Sequence, residues 1–321
     1  MAGSYPFRWA GQVITFYHPR FWGVSDDAGV HDLAGAHPAT FFDRLLDSIQ
    51  ESGVEYVEFC IPPGDWKTAL NAYGSAAGVA AAIASRGLRL DGSYQSGWAL
   101  EAAMNDHTER RRILDDVRAH AAFVVACGAD ILMTGPPRRG SMDGAISRPV
   151  SDRSMELTAG IVSEMAEACR TEGVRLAVHT EAYSVVCRPE EITRLMESTE
   201  PGLVNLCPDV AHIALDGGDP AAVIVQHGER VTNMHWKDCI GQRIDLPAEG
   251  VATHEQMMEQ FRKMGDGTID WVAVVAAARD AGFDGFVAAE IDLAPEPIAS
   301  TRDIVTYYDE HLASIYGGSN D

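Results

Sequence analysis

GVRLAVHTE, residues 173–181, opens on a glycine, runs through Val, Leu and Ala, and ends on His179 and Glu181. Glycine accepts the left-handed conformation just beyond a helix and releases the chain into the next segment, so the string reads as a helix end followed by a buried strand. The same punctuation recurs in ESGVEYVEF (51–59), SRGLRLDGS (85–93), ACGADILMT (126–134) and DAGFDGFVA (280–288).

Working outward from these points, short β-branched runs alternate with amphipathic stretches through eight rounds. The strand candidates are Gln12–Tyr17, Glu55–Cys60, Arg89–Ser93, Asp130–Thr134, Arg175–Glu181, Val204–Cys207, Val231–Trp236 and Gly285–Glu290. Between them lie helical stretches at Ala39–Glu51, Trp66–Arg86, Glu101–Cys127, Asp152–Glu172, Glu190–Glu197, Pro220–His227, Trp271–Ala281 and Ile298–Leu312. That alternation signals parallel strands with crossover helices, and eight rounds predict an α/β fold, a single (β/α)8 TIM barrel spanning residues 1–321. Two connections after strands are long, Pro136–Val150 and Cys239–Gly267. Loops in that position build the catalytic face of a barrel, so both are candidate lids, with a surface insertion or a subunit contact as the alternative.

Composition narrows the class. A hydrophobic fraction of 46% suits a large buried core, and no apolar run reaches the length of a membrane span, so a soluble protein is expected. The N-terminal residues lack a basic segment followed by an apolar stretch, and the cytoplasm is the expected compartment. The six cysteines have no CxxC spacing and read as reduced core thiols. A net charge of −22 repels polyanions, which disfavours nucleic acid as a partner.

Polar, metal-competent residues then appear at four successive strand ends: RLAVHTE (175–181), VNLCPDVAH (204–212), VTNMHWKD (231–238) and FVAAEID (286–292). A carboxylate or imidazole ending a buried strand costs desolvation free energy unless a metal or a partner compensates it. Glu181, Asp209, His235 and Glu290 converge on one barrel mouth as a mostly oxygen ligand set. Such a set suits Mn²⁺, with Mg²⁺ or Co²⁺ as alternatives, better than a structural zinc. Each residue alone also has an ordinary reading, Asp209 as a helix cap and His235 as a core histidine.

At this point the chain resembles the xylose-isomerase-like TIM barrels, which include sugar isomerases and epimerases, inosose dehydratases and apurinic endonucleases. The resemblance rests on DVAHIALDGGDP (209–220), MHWKD (234–238), GDGTIDW (265–271) and AAEID (288–292). It implies metal ligation by Asp209, His235 and Glu290, with His212 beside the substrate or the metal and a fourth ligand from the fifth strand. There the chain departs from the commoner family pattern. An ungapped match puts His179 in the ligand position, with Glu181 two residues later on the same face of the strand. Glu181 keeps the usual charge balance; His179 is the alternative ligand or a substrate-binding group. The run GVRLAVHTEAYSVVCRPEEITRLM (173–196) resembles the inosose dehydratase branch and the metal subunits of C-glycoside-cleaving enzymes.

These features predict an isomerase or epimerase that abstracts a proton beside a metal-bound carbonyl or hydroxyl of a sugar, keto-sugar or cyclitol. Glu181 and Glu290 flank the substrate, one abstracting the proton while the other, or His212, returns it. Two alternatives stand beside it: a lyase performing β-elimination on a keto-sugar, completed by a small second subunit, and a non-catalytic sugar-binding barrel. Self-association into a homo-oligomer is a further expectation. Trp22, Tyr94, Trp98 and Trp236 are candidate stacking surfaces for a sugar ring or aglycone, with barrel packing as their alternative. Lys237 is either a substrate group or a strand-to-helix ion pair, and Asp238 orients a neighbour. Glu58 is a third carboxylate at the mouth or one half of a salt bridge. His18, His107 and His254 fall in mouth-side loops.

Overall fold

The computed structural model describes residues 5–139, 149–241 and 257–316. In chain order the strands are β1 Arg8–Gln12, β2 Tyr56–Phe59, β3 Arg89–Gln95, β4 Ile131–Thr134, β5 Arg175–His179, β6 Val204–Cys207, β7 Asn233–Trp236, β8 Asp238–Cys239, β9 Phe261–Arg262 and β10 Phe286–Ala289. Eight of them form one parallel sheet in the order β6-β5-β4-β3-β2-β1-β10-β7. Parallel bridges from Leu206 to Val231 and from Asp209 to His235 join the two edges, which closes the barrel. The closing bridge at Asp209 and His235 already brings two of the strand-end residues side by side.

The barrel strands are short and buried on both faces, as expected of parallel strands covered outside by helices. Seven of the eight expected strands fall within a few residues of their places. The first is a correction: β1 occupies Arg8–Gln12, and Val13–Phe16, read as strand, forms a 3-10 turn. The Gln12 side chain accepts from the Ile14 amide and starts that turn. Two expected helices are broken in the middle. Trp66–Arg86 splits at Gly74, whose φ of +76° only glycine adopts freely, and Glu101–Cys127 splits at Asp106, whose carboxylate caps the amides of Thr108 and Glu109.

Two candidate stacking surfaces are corrected to core. Trp236 has no exposed surface and packs against Phe7, Trp9, Trp271 and Tyr308 between sheet and helices. Alternation along β7 demands this, because His235 faces inward and its neighbour must face outward. Trp22 stacks on Phe41 with ring centres 4.3 Å apart and donates its indole N–H to the Phe16 carbonyl, fixing it against the first barrel helix. The Trp98 side chain lies outside the described residues. All six cysteines carry free thiols. Among the described residues no helix is long and apolar enough to cross a membrane.

Of the two candidate lids, residues 140–148 and 242–256, with His254, lie outside the described residues. The rest of the second is anchored by the antiparallel pair β8–β9. Asp238 is the clasp. Its buried carboxylate accepts from the amides of Cys239, Gly265 and Ile269 and from the Trp271 indole, so MHWKD and GDGTIDW bind each other. Gly267 has to be glycine, since a Cβ there would sit 2.1 Å from Asp238 Oδ1.

Candidate active site

Asp209 begins the short helix Val210–Leu215, and its two carboxylate oxygens divide the work. Oδ1 accepts from the Ala211 and His212 amides as an ordinary helix cap. Oδ2 points the other way, toward Lys237 Nζ at 3.1 Å, His179 Nε2 at 3.5 Å and both His212 Nε2 and His235 Nδ1 at 3.9 Å. The cap reading and the site reading of Asp209 are therefore both met, by different atoms.

One ligand atom from each of His179, Asp209 and His235 lies within 4.8 Å of the others. Glu290, just past β10, lies beside this group, with Oε2 2.8 Å from His235 Nδ1 and Oε1 2.6 Å from Lys237 Nζ. Asp209 Oδ2, Glu290 Oε2, His179 Nδ1 and His235 Nε2 are buried without a hydrogen bond of acceptable geometry, although opposite charges lie within ion-pair distance of several. Buried polar atoms are normally satisfied, so Asp209 Oδ2 and Glu290 Oε2, two orphans that both face His235 Nδ1, fit a cation that these donors would hold.

The expectation that His179 and Glu181 share a strand face is corrected, because β5 ends at His179 and the chain turns. The Glu181 carboxylate instead accepts a 3.1 Å bond from the Tyr94 hydroxyl. Among the described residues no cation lies within ion-pair distance of it. Lys237 keeps to the alternation although β7 stops at Trp236: two residues after the inward His235, its ammonium enters the site. There it reaches Asp209, Glu290 and Asp292, with the Phe261 ring 4.4 Å away.

These contacts set the charges. Burial alone would discharge Lys237, but its three carboxylates raise its pKa well above the ordinary value. Burial opposes ionisation of Asp209 and Glu290 as well. Lys237 nevertheless holds Asp209 far below the carboxylate range and Glu290 down to about 2. Asp292 goes the other way, its pKa raised by burial. Burial keeps His212 neutral, with the Lys237 charge acting in the same direction. Its Nδ1 accepts from the Ala182 amide at 3.0 Å, which leaves the proton on Nε2, facing Asp209. His235 is buried too, but Glu58 and Glu290 raise its pKa.

A cavity of about 360 Å³ opens over the cluster. His179, Glu181, His212, His235, Lys237, Glu290 and Asp292 line it together with the apolar Ile14, Ile61, Pro62 and Met257. The apolar wall thus comes from aliphatic residues, with Tyr94 the described aromatic that reaches it. Glu58 lies deeper, fully buried beneath His235. His18 caps the helix Pro19–Trp22, and His107 begins the helix His107–Ala126. Asp292 escaped the sequence reading, although its position two residues after Glu290 was the available signal.

Known proteins align with this arrangement. An inosose dehydratase of Geobacillus kaustophilus is 27% identical over 270 residues, covering 82% of this chain and 84% of that one. Among solved structures, L-ribulose 3-epimerase superposes with a TM-score of 0.67 at 13% identity, over 96% of this chain and 95% of that one. The IOLI protein, solved with a binding zinc atom, gives 0.67 at 13% identity over 97% and 98%. At such identities the superpositions speak for the fold. The profile of the xylose isomerase-like TIM barrel matches residues 46–310, and the chain belongs to that family.

Proposed function

We propose that this chain is a divalent-metal-dependent enzyme that removes a proton from a sugar, keto-sugar or cyclitol, at the carbon next to a carbonyl or hydroxyl. The observation carrying this reading is the buried group of His179, Asp209 and His235, with the orphaned Asp209 Oδ2 in it and Glu290 Oε2 next to it, beside a cavity that also holds acid–base side chains. His179, Asp209 and His235 would hold the cation, with Glu290 as the fourth donor. Two imidazoles in place of one shift the preference from Mg²⁺ toward Mn²⁺, Co²⁺ or Zn²⁺. When bound, such a cation polarises the substrate oxygen and acidifies the neighbouring C–H.

Glu181 is the proton-abstracting base in this reading. It faces the cavity, Tyr94 orients it, and no cation competes for its lone pairs among the described residues. Glu290, held ionised by Lys237, is the poorer proton acceptor. His212 offers an N–H from a neutral ring to an oxygen that is returning or leaving. Among the outcomes of proton removal, elimination of water has support from the similarity to an inosose dehydratase, and epimerisation from the geometry alone.

The test is to strip the protein with a chelator, restore Mn²⁺, Co²⁺ or Zn²⁺, and incubate it in D₂O with ketoses and keto-cyclitols. Metal-dependent deuterium in recovered substrate or epimer is expected for an epimerase, and a dehydrated ketone for a lyase. Saturable sugar binding without exchange or product under any of these metals would make it a binding barrel and end the proposal.

A further inference from the structure

Glu58 ends β2 with no exposed surface, in the barrel interior where an unpaired carboxylate is costly. Its Oε1 lies 2.9 Å from His235 Nε2 and accepts a 2.6 Å bond from Gln12 Nε2. Gln12 is fixed at both ends of its amide. Its Oε1 accepts from the Ile14 backbone N–H at 3.2 Å, so its NH₂ has to face Glu58. The direction of each proton follows from that one backbone donor: Ile14 donates to Gln12, Gln12 donates to Glu58, and the carboxylate, within ion-pair distance of His235 though not aligned as a hydrogen bond, has only acceptor capacity left for it. The other ring nitrogen, Nδ1, faces Glu290 and Asp209.

We propose that Glu58, aimed by Gln12, is a positioning residue that keeps the His235 proton on Nε2 and presents the Nδ1 lone pair to the cation. A metal-binding imidazole commonly donates its second N–H to a carboxylate, which fixes the tautomer and strengthens the ligand. The alternative role, a salt bridge that merely stabilises the barrel, gives no reason for the partner to be a histidine whose far nitrogen faces the donor cluster. The inference rests on the metal reading above, and the experiment separates the two.

Metal-free protein is titrated with Co²⁺ against a competing chelator, for wild type, Glu58→Leu, Glu58→Gln, Gln12→Leu and Asp209→Asn, with thermal melts alongside. Glu58→Leu should lose about 10–100-fold in Co²⁺ affinity, Glu58→Gln and Gln12→Leu less. In ¹⁵N-histidine spectra of the Zn²⁺-loaded protein, His235 should be in the Nε2–H form in wild type and a mixture in Glu58→Leu. If Glu58→Leu fails to fold, Glu58→Gln and Gln12→Leu provide the same readings. Folded Glu58 variants that bind Co²⁺ within twofold of wild type, with an unchanged tautomer, would overturn this inference alone. Wild-type protein that binds no Co²⁺, or Asp209→Asn protein that binds it equally well, would overturn the metal reading and this inference together.

Discussion

Two buried charge clusters lie on the catalytic face of the barrel, and their difference separates scaffold from site. In the first, Arg139, from the loop after β4, pairs with Glu191 at 2.5 Å and approaches Asp216 at 3.9 Å, while Arg188 faces Asp216 at 3.5 Å. Two arginines meet two carboxylates, and Glu191 also accepts from the Arg188 amide. In the second, among the described residues, one ammonium, that of Lys237, faces Asp209, Glu290 and Asp292, and several donor atoms have no hydrogen bond. A structural cluster balances its charge with its own side chains, because breaking such a pair leaves an expensive buried ion. A cluster with surplus carboxylates makes physical sense when its missing cation comes from outside the chain.

If that division is right, activity and stability should come apart. The largest effect is expected at Glu181, the mouth carboxylate with no cation partner among the described residues. Glu181→Gln should lower kcat by about 10²–10⁴-fold, the usual contribution of a positioned acid–base group, with an unchanged melting temperature. Steady-state kinetics and a melt on the same preparation check this, and near-normal turnover would remove Glu181 from the mechanism. Next comes Arg139→Met, which strands Glu191 and should cost about 3–5 kcal/mol in urea unfolding, while the folded fraction still binds Co²⁺. Equal loss of metal affinity would show that the two clusters act as one.

The smallest effect belongs to neither cluster. His120 is buried, bonded to Ser93 at 2.7 Å and stacked on Trp66. Burial, with Lys67 adding its positive charge, lowers its pKa to about 3. The unfolded chain, with a histidine pKa of about 6.5, binds the extra proton between those values, so stability is full above pH 6.5 and drains as pH falls toward 3. Unfolding midpoints at pH 7, 6 and 5 should show a slope approaching about 1.4 kcal/mol per pH unit, which His120→Gln flattens. A slope that survives in that variant would place the acid sensitivity in one of the two clusters instead.

Much of this was legible along the chain, for local reasons. Continuous apolar runs marked seven strands, five of them launched by helix-ending glycines, because parallel strands buried on both faces leave little room for polar residues. β1 was misplaced because Val13–Phe16 is as apolar as a strand, and nothing local says that the Gln12 side chain turns the backbone. Asp209, His235 and Glu290 stood out as polar residues where burial is costly. The fifth-strand pair was harder to place, since alternation gives a direction only while the strand lasts, and β5 stops at His179, two residues short of Glu181.

By itself the sequence determined the βα repeat, the side of the barrel that carries chemistry, and the kinds of donor atom gathered there, because periodicity and desolvation cost are properties of neighbouring residues. Only the tertiary structure decided that His179 joins Asp209 and His235, that Lys237 pairs with Glu290, that Trp22 and Trp236 are core, and that Glu58 reaches His235 across the barrel. Those outcomes depend on where strands end and which side chains meet across the closed sheet, and such distances exist only after the barrel closes.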